Sequence, residues 1–91
     1  MANPGLIIEK RACSCLLSMP DVSEAELWDG IDPKIIDYLL DEGLMEWRVA
    51  DRGQIFYVVL GAPAKQKARL NYQHATVELF RNQNSKKHVE T

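Results

Sequence analysis

Residues 32–60, DPKIIDYLLDEGLMEWRVADRGQIFYVVL, decide the fold. They open on Asp32-Pro33, a side chain able to cap a helix followed by a residue whose missing N–H costs nothing in the first turn. Ile35, Ile36, Leu39, Leu40 and Leu44 then form an i, i+4 apolar stripe, and Gly43 supplies the left-handed conformation on which helices end. The spacing predicts an amphipathic helix that stops at Gly43. Met45-Glu46-Trp47-Arg48-Val49 next alternates as a strand does, Asp51-Arg52-Gly53 has the composition of a turn, and Ile55 to Leu60 is rich in β-branched and aromatic residues. These three pieces predict a β-hairpin.

Working outward, Asn3-Pro4 repeats the cap-then-proline signal. Leu6, Ile8, Ala12, Cys13, Leu16, Leu17 and Met19 predict a first helix running to about Ser18, broken by Met19-Pro20-Asp21. Val22 is expected to supply a short strand. Ser23, with Glu26 three residues on, has the pattern of a reciprocal capping box and predicts a short second helix from Glu24 to about Gly30. The helix after Asp32 is then the third. Beyond the hairpin, Gly61-Ala62-Pro63 ends the strand, and a fourth helix is expected over 64–82, with Ala68, Tyr72, Ala75 and Leu79 on one seam. Residues 83–91 are polar and without apolar periodicity, and are expected to form a disordered tail. The expected architecture is mainly α with a small β-hairpin, in a single domain over 1–82.

A chain of 91 residues with 46% apolar and 26% charged residues suits one globular core. It contains no run approaching the roughly 20 apolar residues of a membrane span, and no secretory signal is recognisable at the N-terminus. The cytoplasm is therefore the expected compartment, and Cys13 and Cys15, too close for an ordinary structural bridge, are expected to stay reduced there. Charge is uneven: residues 1–61 carry five Lys/Arg against eleven Asp/Glu, residues 62–91 six against two.

The order helix, short helix, tight turn, amphipathic helix ending in LLDEGLMEW, then hairpin resembles the winged helix-turn-helix superfamily, in particular its MarR-, ArsR- and PadR-like regulators. The matching stretch is Val22–Leu60, VSEAELWDGIDPKIIDYLLDEGLMEWRVADRGQIFYVVL. The resemblance implies that the third helix is a recognition helix and the hairpin a wing. It further implies a small DNA-binding transcription regulator, with Lys34 and Tyr38 on the third helix, Arg48 and Arg52 at the wing, and Lys65 and Lys67 on backbone phosphates. One departure stands against this. The exposed side of the third helix is expected to carry Lys34, Asp37, Tyr38, Asp41 and Glu42, and carboxylates are repelled by phosphates. The alternative is a winged-helix module that binds a protein partner through Asp37, Tyr38, Asp41 and nearby apolar surface, in the manner of a small phage- or plasmid-type adaptor or inhibitor.

In many regulators of this kind a terminal helix pairs with its twin, so the resemblance implies a homodimer through Ala68, Tyr72, Ala75 and Leu79. The competing reading folds this helix back over the first helix of its own chain. Cys13-Ser14-Cys15 is not read as a metal site, because residues two apart on a helix point to nearly opposite sides. His74 and His88 are far from each other and from the cysteines in sequence. With no glycine-rich phosphate loop, nucleophile elbow or paired-histidine motif, neither an enzyme nor a cofactor or metal is expected. Trp28 and Trp47 are expected as packing residues, the latter because it alternates with Met45 and Val49.

Overall fold

The computed structural model describes residues 3–90, with side chains described as far as Asn82. The described residues form three helices and a small three-stranded antiparallel sheet: α1 (Pro4–Ser18), β1 (Val22–Glu24), a single 3₁₀ turn (Ala25–Trp28), α2 (Pro33–Asp41), β2 (Met45–Val49), β3 (Ile55–Val59) and α3 (Gly61–Glu90). The third helix of the sequence reading is therefore α2 and the fourth is α3. No helix among the described residues is long and apolar enough to cross a membrane.

The local signals act as their chemistry requires. Asn3 accepts from the Gly5 N–H at 2.8 Å and Asp32 from the Lys34 N–H at 3.0 Å, so each cap satisfies an N–H that a helix start leaves unpaired. Helix α2 ends in a Schellman arrangement, with the Leu44 N–H donating to the Leu39 carbonyl at 3.0 Å and the Gly43 N–H to that of Leu40 at 3.2 Å. That geometry needs positive φ at Gly43, and it is 70°. At the hairpin tip the Gly53 N–H donates to the Ala50 carbonyl and the Ala50 N–H to that of Gln54, both at 2.8 Å.

The second helix, expected over Glu24 to Gly30, is only the turn Ala25–Trp28 and has no side-chain cap. Ser23 is the reason. It lies inside β1, paired with Tyr57, and its buried hydroxyl accepts from the Trp28 indole at 2.8 Å instead of capping the turn. Strand β3 lies between the other two, giving the order β1-β3-β2. Helix α3 starts at Gly61, ahead of the expected Ala64, because Pro63 stands in its first turn, where its missing N–H is tolerated. Of the stretch 83–91 expected to form a disordered tail, residues 83–90 instead continue α3, which corrects the expected helix end at 82; their side chains lie outside the described residues.

Trp28, Ile35, Leu39, Leu44 and Met45 form the centre of the core with Ala12, Cys13 and Leu16 of α1. Helix α3 lies along α1, and this corrects the expected dimer seam. Ala68 and Ala75 are 0% exposed within the single chain, while Tyr72 and Leu79 are half-buried beside them. Small residues at this spacing let two helices approach closely, and the helix they admit is α1. Lys10 adds a cation–π contact, its ammonium 5.7 Å from the Tyr72 ring centroid.

Candidate functional site

Helix α2 turns Ile35 and Leu39 into the core, leaving Lys34, Asp37, Asp41 and Glu42 exposed. Tyr38 is not among the exposed residues. Its hydroxyl donates to Glu9 Oε1 at 2.9 Å and accepts from Asn71 at 3.4 Å, tying α2 to α1 and α3. Burial, then the bond to Glu9, pushes the phenol well above its ordinary range, so it remains a neutral donor. The expected role of Tyr38 on an outer surface, for DNA or for protein, is thus corrected. It stands three residues after Ile35, a spacing that places side chains next to each other on one helix side, and that was the signal for its inward position.

The cations expected at DNA are mostly engaged within the chain. Lys65 pairs with Asp21 at 2.5 Å, and Lys67 donates to the Glu42 carbonyl at 3.1 Å, where the end of α2 needs a donor. Arg48 pairs with Glu46 on its own strand, its Nε 2.9 Å from Oε1. Lys34 and Arg52 are exposed and make no ion pair among the described residues. Around them the chain is acidic: residues 21–55 carry ten Asp/Glu against three Lys/Arg.

The hairpin adds an apolar surface. Pairing places Met45, Trp47 and Val49 opposite Val59, Tyr57 and Ile55, so all six share one face of the sheet. At the base of the hairpin Met45 and Val59 are buried, and Tyr57 meets Trp28 edge to face at 5.6 Å between ring centroids. Toward the tip that same face leaves the core, and Trp47, Val49 and Ile55 are 57%, 55% and 46% exposed. The alternation that marked Trp47 as a packing residue identified its face correctly, but the strands outrun the helix that covers them. Trp28, by contrast, is buried as expected.

Burial, followed by the nearby Glu9 carboxylate, raises the Cys13 thiol to about 11, and burial also raises Cys15. Among the described residues no three His, Cys, Asp or Glu side chains stand where they could hold a metal ion. The surface carries an acidic helix side leading, through Glu42-Gly43-Leu44, into a hairpin with an exposed indole and two exposed aliphatic side chains. No family model, curated protein or solved structure matches this chain.

Proposed function

We propose that the chain is a small winged-helix module that binds a protein, with α2 and the hairpin as its contact surface and a basic protein surface with an apolar centre as its partner. The winged-helix reading rests on the element order and on the strand order β1-β3-β2, with α2 leading straight into the hairpin. One observation carries the protein-binding reading: the exposed apolar group Trp47, Val49 and Ile55 stands on the hairpin that follows the carboxylates Asp37, Asp41 and Glu42. Exposed aromatic and aliphatic anchors beside charge are what protein recognition uses. Duplex DNA would instead meet carboxylates where it needs cations.

Two titrations test it. Fluorescence anisotropy with a mixed-sequence duplex, from about 50 to 200 mM salt, is expected to show no binding. A labelled peptide of alternating Arg and Val is expected to bind, more weakly to Asp37→Lys/Asp41→Lys and to Ile55→Ser. Duplex binding with a steep salt slope, strengthened by Asp37→Lys, would overturn the proposal in favour of a DNA-binding regulator.

A further inference from the structure

Strand β2 has β3 on one side only, since β1 pairs with the far side of β3. Which of its backbone groups are unpaired follows from two hydrogen bonds. The Leu60 N–H donates to the Leu44 carbonyl at 3.0 Å, and the Ala50 N–H donates to the Gln54 carbonyl at 2.8 Å. Bonded positions alternate along an antiparallel strand, so residues 44, 46, 48 and 50 turn their backbone groups toward β3. Met45, Trp47 and Val49 turn theirs away, toward the open edge. Such an edge is ordinarily blunted by proline, a bulge or charge. Here β2 has no proline and runs in continuous register, and its two charges are Glu46 and Arg48, of opposite sign and on one face.

That pattern is complementary to itself. We infer that β2 pairs antiparallel with β2 of a second copy of this chain about a two-fold axis at Trp47, joining two three-stranded sheets into one. Trp47 pairs through its outward N–H and carbonyl with Trp47 of the second copy. Glu46 then lies directly opposite Arg48 of the second copy and Arg48 opposite its Glu46, which are the favourable cross-strand pairs. Charge also selects the register. Slipping by one pairing step in either direction would set Arg48 against Arg48, or Glu46 against Glu46. In the free chain Arg48 and Glu46 neutralise each other on their own strand, so the dimer exchanges partners without burying an unpaired charge. The interface is isologous and closes at two copies. It also places the two Trp47 indoles side by side on the sheet face that carries Val49 and Ile55. The inference holds whatever partner that face binds.

A five-residue edge is small against the roughly 800 Å² per partner of a standard interface, so association is expected to depend on concentration. Sedimentation of the full chain from about 10 μM to 1 mM is expected to show a monomer–dimer equilibrium. Glu46→Arg and Arg48→Glu each turn both cross-strand pairs into repulsions and are expected to weaken the dimer roughly tenfold or more. The double variant Glu46→Arg/Arg48→Glu recreates the complementarity with signs exchanged and is expected to restore it. Val49→Pro removes an N–H that points away from β3 and is expected to weaken the dimer, while circular dichroism confirms that each variant is folded. A chain that stays monomeric to 1 mM overturns the inference. So does a dimer that the double variant fails to rescue, or one that Leu70→Asp on the outer side of α3 abolishes while the charge reversals leave it intact.

Discussion

Replacing Ser23 by alanine removes one oxygen from the interior and leaves the Trp28 indole N–H facing nothing. The two groups are 2.8 Å apart and buried, and Trp28 itself is only 3% exposed, so water has little access to the vacated position. A buried donor that loses its acceptor costs about 1–3 kcal/mol, well above the net worth of the hydrogen bond, because the desolvation of the indole goes uncompensated. For a chain of this size that corresponds to a fall in Tm of roughly 5–20 °C. Trp28→Phe removes the donor but also vacates volume in the core and is expected to cost more. The double variant is the decisive measurement. Once the indole N–H is absent, Ser23→Ala should cost little, giving a coupling energy of about 1 kcal/mol or more between the two sites by thermal or urea unfolding. Additive effects within about 0.3 kcal/mol would refute the claim that Ser23 is committed to Trp28. They would also reopen the possibility that Ser23 caps a longer helix.

Two further outcomes test the packing and the ionisation of the interior. Ala68→Leu forces extra carbons between α3 and α1, where Ala68 has no exposed surface, and is expected to destabilise the monomer by about 1–3 kcal/mol; unchanged or increased stability by urea unfolding would show that this seam does not face α1. Raising the pH is expected to weaken folding through Cys13. Its folded value of about 11 lies above the ordinary 9.0, so the unfolded chain releases its proton first. The stabilisation is complete below pH 9 and disappears as pH rises through 11. Its size is on the order of 2 kcal/mol, to be read as the part of the alkaline slope of stability that Cys13→Ala abolishes.

The elements legible in the sequence were those whose determinants are local. Helix α2 and the hairpin follow from Asp32, Pro33, Gly43 and strict alternation, each acting within a few residues of itself. The second helix was misread because Ser23-x-x-Glu26 is a good local cap, while the competing use of the Ser23 hydroxyl depends on β1 pairing with β3, far along the chain. The α3 seam shows a different limit. The spacing of Ala68, Tyr72, Ala75 and Leu79 correctly identified a covered side. Periodicity does not say what covers it, and two antiparallel copies or one neighbouring helix would leave the same imprint.

The candidate site divides along the same line. Asp37 and Asp41 could be placed on an outer surface because the opposite side of α2 was so clearly apolar. The cations could not be assigned, since a count of Lys and Arg gives charge without giving partners. Lys65 finds Asp21 and Lys67 finds the carbonyl end of α2 only once the chain is folded, and each contact joins segments remote in sequence. Two of the five cations expected to reach outward therefore serve within the chain, at α2 and at the approach to β1. The acidic charge of residues 21–55 keeps few such partners, and it is this local imbalance, rather than the net charge of −2, on which the proposal of a basic partner rests.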